Sequence, residues 1–457
     1  MGILREKKNG YDFISEAEKA KMEDYSRAYI DFMNAAKTER ECVVECIKLA
    51  EAKGFRPYEA GMELKPGDKV YYNNRGKNID LAVIGKKSLA EGANIAAAHT
   101  DSPRLDLKPN PLYEAEEMAY LKTHYYGGIK KFQWVTIPLE LHGVVCLKDG
   151  SKIELKLGAG NEPKFVITDI LPHLGKQQAA KPLGEAIPGE NLNLLVGSIP
   201  CEDKDAKERV KTYVMQYLND KYGMIEEDFL SAELETVPAF EATEIGFDRS
   251  LIGAYGHDDR VCAFAELKAL LDMEEVPERT AVCIFADKEE VGSMGVTGMI
   301  SQAFEHFMND MCKTQGVDLF DCFSKSFCLS ADVTAALDPN FMEVFEKNNE
   351  SQINHGIAIC KYTGGRGKSG ASDANAETVA YVRRIFDENE VLWQLNEMGK
   401  IDEGGGGTVA LDMANRNIET IDAGVPVLSM HAPFEVVSKL DCYMTYKGCK
   451  AVFEARI

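Results

Sequence analysis

The chain has 457 residues, of which 45% are hydrophobic and 28% charged, a balance typical of globular proteins and not of disordered or collagen-like chains. Lys and Arg number 52 against 74 Asp and Glu, so the formal net charge is −22 at pH 7. Such a charge repels phosphate backbones and anionic lipid, which argues against nucleic acid and membrane surfaces as partners.

Targeting and redox features favour a cytoplasmic protein. No stretch approaches the roughly 18 consecutive apolar residues that a membrane-spanning helix needs. The N-terminal segment lacks the apolar core of a signal peptide. Twelve cysteines are scattered along the chain, mostly in apolar runs, and no Cys-x-x-Cys pair occurs. We therefore expect a cytoplasmic location and reduced, buried thiols.

The N-terminal part begins with helices. The patterns Ser-x-x-Glu at 15–18 and Thr-x-x-Glu at 38–41 match the capping box, in which a hydroxyl and a carboxylate satisfy free amides at a helix start. Tyr25, Tyr29 and Phe32 recur at helical spacing, which predicts a buried helix face.

Residues 105–236 differ in character from the rest of the chain. Positions 138–157 alternate between apolar and polar residues around Lys148-Asp149-Gly150, which predicts a β-hairpin. An amphipathic stretch at 210–218 predicts a helix that ends before Gly223. We interpret 105–236 as a β-rich domain inserted into a larger, discontinuous domain formed by 1–104 and 237–457.

The larger domain contains four short, nearly continuous apolar runs, at 93–98, 280–286, 327–331 and 425–430. Strands that are buried on both faces of a parallel or mixed sheet have this pattern. Helical stretches separate the runs along the chain. We therefore predict an α/β fold, a three-layer sandwich with a mixed, mostly parallel sheet.

Each of these runs leads into a side chain that can bind a metal ion. His99 follows the first run, Glu289 and Glu290 the second, Asp332 the third and His431 the fourth. In open α/β sheets the ligand crevice lies beyond the carboxyl ends of the strands. Two histidines and several carboxylates that meet there would form a mixed oxygen and nitrogen site for paired Zn²⁺ or similar ions.

Five motifs in these segments resemble the M18 family of metalloaminopeptidases, the aspartyl aminopeptidase family. They occur in the order of the family and span residues 99–431. The motifs are His99-Thr-Asp-Ser-Pro-Arg, Gly256-His-Asp-Asp-Arg, Asp287-Lys-Glu-Glu-Val-Gly-Ser, Ser330-Ala-Asp-Val and Met430-His-Ala-Pro-Phe-Glu.

The resemblance implies two divalent metal ions per subunit, Zn²⁺ in first place and Co²⁺ or Mn²⁺ as alternatives. It also implies roles for the motif residues. The implied roles are His99 and Asp332 as ligands of one ion, Glu290 and His431 as ligands of the other, Asp258 as the bridge between them, Glu289 as general base and acid, and Asp101 as the group that orients His99. Asp259 stands where many relatives carry Asn, and we leave it outside the ligand set.

The resemblance also bears on substrate and assembly. Lys361 matches a family position associated with binding the substrate side chain, whereas Ala335 stands where some members carry His. Acidic and neutral N-terminal residues therefore both remain open as substrates. Members of the family form dodecamers through dimer contacts of the inserted domain, and a His in a Pro-His-Leu segment reaches the neighbouring active site. His173 matches that position, so we expect a homo-oligomer.

The sequence thus predicts a cytoplasmic aminopeptidase that removes the N-terminal residue of peptides. One alternative keeps the metals but hydrolyses N-acylated amino acids. A second alternative is a metal-bearing oligomeric scaffold without turnover. Glu289 argues against the scaffold, because a structural metal site needs no additional carboxylate beside its ligands.

Overall fold

A computed structural model describes residues 3, 7, 9–362 and 364–455. The sequence predicts that the N-terminal segment is not a signal peptide. Most residues of this segment lie outside the described residues. The described chain is mixed α/β and contains three sheets. None of its helices is both long and apolar enough to cross a bilayer.

The α-helices are α1 (Glu16–Ala35), α2 (Glu39–Glu51), α3 (Lys176–Ala179), α4 (Leu183–Ala186), α5 (Arg209–Tyr222), α6 (His257–Leu271), α7 (Ala303–Thr314), α8 (Leu319–Ser324), α9 (Ala376–Glu388), α10 (Ala410–Asn415) and α11 (Lys439–Glu454). The strands are β1 (Arg56–Pro57), β2 (Lys69–Asn74), β3 (Asn78–Val83), β4 (Ala93–His99), β5 (Arg104–Ala115), β6 (Met118–Tyr126), β7 (Leu139–Cys146), β8 (Lys152–Leu157), β9 (Asn193–Gly197), β10 (Ala232–Pro238), β11 (Thr243–Ile245), β12 (Leu251–Ala254), β13 (Thr280–Ala286), β14 (Phe327–Ser330), β15 (Thr334–Ala335), β16 (Ile357–Cys360), β17 (Trp393–Asn396), β18 (Glu419–Gly424), β19 (Pro426–Leu428) and β20 (Glu435–Ser438).

The chain forms two compact units. Unit 1 consists of Met1–Asp101, Ala242–Met430 and Glu435–Ile457, and unit 2 of Ser102–Glu241 with His431–Phe434. The bounds predicted from the sequence were 1–104 with 237–457 and 105–236, so His431 is grouped with unit 2 although we had expected it in the larger domain. The catalytic and oligomerisation roles of the two domains stay predictions.

Unit 1 is built on a nine-stranded sheet with the order β1-β2-β3-β13-β4-β14-β18-β16-β17. The four strands β13, β4, β14 and β18 run parallel to one another. Successive residues of β4 enter two different hydrophobic clusters: Ala96 and Ala98 pack with α1, α2, α6 and α11, whereas Ile95 and Ala97 pack with α7 and α8. Because side chains alternate across a strand, apolar residues line both faces of this sheet.

The fourth apolar run departs from the prediction. Residues 426–428 form β19, which belongs to a separate five-stranded sheet with the order β11-β12-β20-β19-β15, whereas β18 before it belongs to the nine-stranded sheet. The chain leaves the nine-stranded sheet at Gly424, the last residue of β18. A Cβ at this position would lie 1.9 Å from the carbonyl oxygen of Asp332. The absence of a side chain lets the two backbones approach closely.

The N-terminal helices confirm the sequence signals. Thr38 and Glu41 form a complete capping box at the start of α2, and the Oγ of Ser15 accepts from the amide of Glu18 at 3.2 Å at the start of α1. Tyr25 and Tyr29 are buried in the core.

Unit 2 contains a six-stranded antiparallel sheet with the order β8-β7-β10-β5-β6-β9. The predicted hairpin is formed by β7 and β8, and its turn is closed by the amide of Leu147 bound to the carbonyl of Ser151 at 2.8 Å. The predicted helix is α5, which ends at Gly223 in the left-handed conformation. Among the twelve free cysteines eleven are buried, and Cys146 in β7 is exposed.

A buried ammonium connects the start of α11 to two other elements of unit 1. Lys439 is 1% exposed, and its Nζ lies 2.7 Å from Glu23 of α1 and 2.6 Å from Glu244 of β11. Both carboxylates are partly exposed, so water screens part of the attraction.

We predict that Lys439→Met lowers the free energy of unfolding by about 1–3 kcal/mol, because hydrogen bonds to charged groups are lost and two carboxylates are left together. Denaturant unfolding measures the change. The control is Lys48→Met, which removes an exposed pair with Glu45 and should change stability by less than about 0.5 kcal/mol. Equal unfolding midpoints for the two variants would contradict the prediction.

Candidate active site

Three parallel strands of unit 1 bring their carboxyl ends together. His99 is the last residue of β4, which lies between β13 and β14. Ala286, the last residue of β13, pairs directly with His99, and Asp287 follows it. Asp332 follows β14 after one residue. The register of the sheet therefore places all three chain segments at one edge, as the topology of α/β sheets predicts.

The non-helical turn at the start of α6 supplies a second group of carboxylates. Gly256 has φ +73° and precedes Asp258 and Asp259, which lack helical dihedral angles. The Oδ1 of Asp258 lies 3.2 Å from the Nε2 of His99. The amide of Asp258 donates to the Oε2 of Glu435 at 3.1 Å. The turn thus directs a carboxylate at His99 while a buried acceptor holds its backbone.

A fully buried guanidinium supports the same turn. Arg260 is 0% exposed and donates to the carbonyls of Tyr255, Gly256 and Ala36 at 2.6, 3.0 and 2.7 Å. Arg260 therefore connects the turn to the residue that follows α1, and each of its three guanidinium nitrogens donates to a backbone carbonyl.

Asp101 connects His99, at the end of β4, to the segment that follows β13. Its Oδ1 lies 3.3 Å from the Nδ1 of His99, on the side of the ring opposite Asp258. The amide of Glu289 donates to Oδ1 of Asp101 at 3.1 Å, and the amide of Glu290 donates to Oδ2 at 3.2 Å. Asp101 thus holds the imidazole ring, whose Nδ1 lies 3.0 Å from its backbone carbonyl and 3.3 Å from its carboxylate, and it also binds the backbone of the Glu-Glu pair.

Around the other ring nitrogen of His99 the side chains form potential ligand sets. The Nε2 of His99 lies 3.8 Å from Oε2 of Glu289 and 4.0 Å from Oδ1 of Asp332. Among the described residues of unit 1, two groups of three potential ligands have their three donor atoms within 4.8 Å of one another. These groups are His99 with Asp259 and Asp332, and His99 with Glu289 and Glu290. Imidazole nitrogen and carboxylate oxygen are donors that Zn²⁺ accepts, so the residues fit a metal site.

The electrostatics of the site also fit bound cations. Burial raises the pKa of Asp259 well above its usual range, and Asp258 adds to the rise. Burial raises the pKa of Asp332 in the same way, with further contributions from Asp259 and Asp258. Although burial opposes its charge, the pKa of His99 is raised because Asp101 and Asp258 hydrogen-bond to it. The crowded carboxylates therefore need positive charge nearby in order to ionise together.

Three further predicted site residues have the following surroundings within their own units. His431 is grouped with unit 2, where its Nδ1 lies 2.8 Å from the carbonyl of Gly128. His173 is exposed in a turn of unit 2. Lys361 follows β16 in unit 1, and its Nζ hydrogen-bonds to Asp373. The metal and substrate roles of these residues stay predictions.

Two contributors at the site were not identified from the sequence. The sequence leaves Asp259 outside the ligand set, yet its carboxylate is fully buried beside His99 and Asp332. Glu435 contacts the backbone of Asp258 from β20. Both residues belong to the five motifs, Asp259 to the second and Glu435 to the last, so their place in these motifs was a usable signal.

Comparisons with known proteins identify the family of this chain. The family model described as Aminopeptidase I zinc metalloprotease (M18) matches residues 32–453. The Probable M18 family aminopeptidase 1 of Clostridium acetobutylicum is 48% identical over 458 residues, which cover 98% of each chain. The crystal structure of an M18 family aminopeptidase from Thermotoga maritima has a TM-score of 0.94 and 43% identity, and the likeness covers 99% of this chain and 100% of that chain.

A more distant structure shares the fold. The S. cerevesiae mApe1 dodecamer has a TM-score of 0.78 at 22% identity, over 95% of this chain and 97% of that chain. At this level the likeness shows the fold alone. Because the family model spans most of the chain and a relative of equal length is nearly half identical, this chain belongs to the M18 family of zinc metalloproteases and is a metalloaminopeptidase.

Proposed function

We propose that the chain is a dinuclear-metal aminopeptidase that hydrolyses the N-terminal residue from peptides. The observation that carries the proposal is the convergence of Asp258, Glu289 and Asp332 on one ring nitrogen of His99, within 4.0 Å, in a chain of the M18 family. In this proposal unit 1 is the catalytic domain, a three-layer sandwich, and unit 2 is an inserted oligomerisation domain.

The proposed ligand set follows the resemblance. His99 and Asp332 would hold one ion, Glu290 the other, and Asp258 would bridge them; the close approach of their donor atoms to His99 supports this part. His431 as a further ligand of the second ion rests on the family motif. Two ions bring about four positive charges and three carboxylates about three negative ones, so the cluster would be nearly neutral with one hydroxide.

When bound, such ions would polarise the scissile carbonyl and lower the pKa of a water molecule between them. Glu289 would take the proton of that water and later deliver it to the departing amine. The backbone amide of Glu289 donates to Asp101, and the side chain of Glu289 is 19% exposed. The residue is therefore fixed at its backbone, while its carboxylate stays accessible.

Asp101 would serve as an orienting residue for His99. Its carboxylate lies beside Nδ1, which leaves Nε2 as the nitrogen that faces the other carboxylates. A carboxylate behind a ligating histidine fixes the tautomer and makes the ring a better donor. Because Asp101 also accepts from the amides of Glu289 and Glu290, it couples the ligand geometry to the position of the base.

The choice of N-terminal residue depends on Lys361 in this proposal. Its ammonium shares Asp373 with Lys368, whose Nζ lies 2.9 Å from that carboxylate. An acidic substrate side chain would therefore compete with Asp373 for two cations, and a neutral side chain would leave the pair intact. Both preferences are accordingly included in the test below.

For assembly we propose a homo-oligomer, built from dimers and reaching a dodecamer as in the related S. cerevesiae structure. His173 would complete the active site of a neighbouring subunit, and the enzyme would act in the cytoplasm. The exposure of His173 in unit 2 supports a role outside its own subunit.

The test of the function is a panel of dipeptides with acidic, neutral and basic first residues, assayed after chelation and reloading with Zn²⁺, Co²⁺ or Mn²⁺. We expect chelation to abolish hydrolysis and reloading to restore it. The free N-terminal residue should be released, and N-acetylated peptides should remain intact. Hydrolysis of N-acylated amino acids would favour the amidohydrolase alternative, and no hydrolysis of either class after reloading would favour the scaffold.

Two variants separate the proposed base from a proposed ligand. Glu289→Gln should retain both metal ions and lower kcat by several orders of magnitude, because no carboxylate takes the proton. His431→Ala should bind one ion fewer per chain, since it removes a ligand. Elemental analysis and kinetics on the same samples check both statements. His306→Ala, which changes an exposed histidine on α7, is the control. Full turnover of metal-loaded Glu289→Gln would refute the role of the base.

The role of His173 across subunits has a specific signature. His173→Ala should impair catalysis in an oligomer of normal size. Co-expression of His173→Ala with Glu289→Gln should recover activity, because each chain supplies what its neighbour lacks. His124→Ala, another exposed histidine of unit 2, is the control. Full activity of His173→Ala, or mixed oligomers without activity, would show that His173 does not act in a neighbouring site.

A further inference from the structure

A buried ammonium lies behind the segment that carries the proposed base. Lys77 occupies the turn between β2 and β3, and its side chain is 11% exposed. Its Nζ lies 3.0 Å from Oε1 of Glu39, the first residue of α2, and 3.6 Å from Oδ2 of Asp287. Both carboxylates are 0% exposed. The three charges lie close together and are largely shielded from water, so their attraction is little screened.

Asp287 is the first residue of the segment 287–297, which carries the proposed base. Its Oδ2 accepts from the hydroxyl of Thr297 at 2.6 Å, and its amide donates to the carbonyl of Thr297 at 3.2 Å. These bonds close residues 287–297 into a loop, and Glu289 and Glu290 lie inside it. The side chain of Asp287 therefore attaches the start of this loop to the interior, in addition to the bonds from Asp101 to the amides of Glu289 and Glu290.

The hairpin that carries Lys77 also holds the far end of the loop. The Nδ2 of Asn74, the last residue of β2, donates to the carbonyl of Val296 at 2.8 Å. Lys288 provides a second cation near Asp287, at 3.8 Å, but its side chain is 31% exposed and thus better screened. The β2–β3 hairpin consequently contacts both ends of the loop, through a charge at one end and an amide at the other.

We propose that Lys77 is a positioning residue for the peptidase reaction: by holding Asp287, with Glu39 as a second anchor, it sets the position of Glu289. The inference rests on the proposed function. Active-site groups must be held to within about 0.5 Å of the productive geometry, and partners behind the reacting groups provide this support. Lys77 itself does not touch the substrate.

The experiment compares Lys77→Met with Lys439→Met, which removes another buried ammonium with two carboxylate partners. All variants are loaded with Zn²⁺ and assayed well below their unfolding temperatures. For Lys77→Met we expect kcat to fall about 10- to 100-fold and KM to change less than about threefold, with unchanged zinc content. Lys439→Met should be less stable but should keep the kcat of the original chain.

A double variant separates stability from positioning. Lys77→Met with Glu39→Gln also neutralises Glu39, which would otherwise lose its ion pair with Lys77, so we expect much of the stability to return. The kcat should stay low, because Asp287 still lacks its anchor. If kcat follows stability in both variants, or if Lys77→Met keeps full kcat, Lys77 is merely structural and the proposal is overturned.

A second readout does not depend on catalysis. Amide hydrogen exchange of residues 287–297 should become faster in Lys77→Met than in Lys439→Met, because local opening of the loop becomes easier. If the original chain hydrolyses no peptide, the proposed function fails, and the exchange of this loop still decides whether Lys77 anchors it. Equal exchange in the two variants would refute the anchoring.

Discussion

The active site in unit 1 is governed by the crowding of negative charge around a single imidazole ring. Asp258, Asp332 and Glu289 approach one nitrogen of His99, and Asp101 approaches the other. Isolated carboxylates in such a place are costly, and their mutual repulsion adds to the cost. Zinc bound by these groups, as expected in a zinc metalloprotease, would reduce both costs, which gives a physical reason for the acidic residues at the end of an otherwise apolar sheet.

The interior also places permanent cations behind the site. Arg260 binds three backbone carbonyls below the turn that carries Asp258, and Lys77 holds Asp287 next to the Glu-Glu pair. Both cations are buried and act on the backbone or on an anchor, so they do not compete with metal ions for the ligand atoms. The fold thus keeps the permanent cations, which support the backbone of the site, apart from the metal ions that its ligand atoms would bind.

Sequence patterns were sufficient for the local elements. The capping box at Thr38 predicted the start of α2, and Gly223 predicted the end of α5, because these signals act within a few residues. The apolar runs predicted β4, β13 and β14, and the motifs resembled the M18 family, to which the chain belongs. The run at 425–430 was assigned to the wrong sheet, since strand pairing depends on partners that lie far away in the chain.

What the sequence by itself determined is therefore the type and order of the strands and helices, and the residue types at the strand ends. Only the tertiary structure decided which charges meet. Glu39, Lys77 and Asp287 are separated by up to 248 positions, and nothing in their local patterns connects them. Asp259 likewise reads as an ordinary helix-start residue until burial beside His99 becomes visible. The physical reason is that local signals depend on backbone geometry, whereas the ionisation and pairing of a side chain depend on the solvent and charges that folding puts around it.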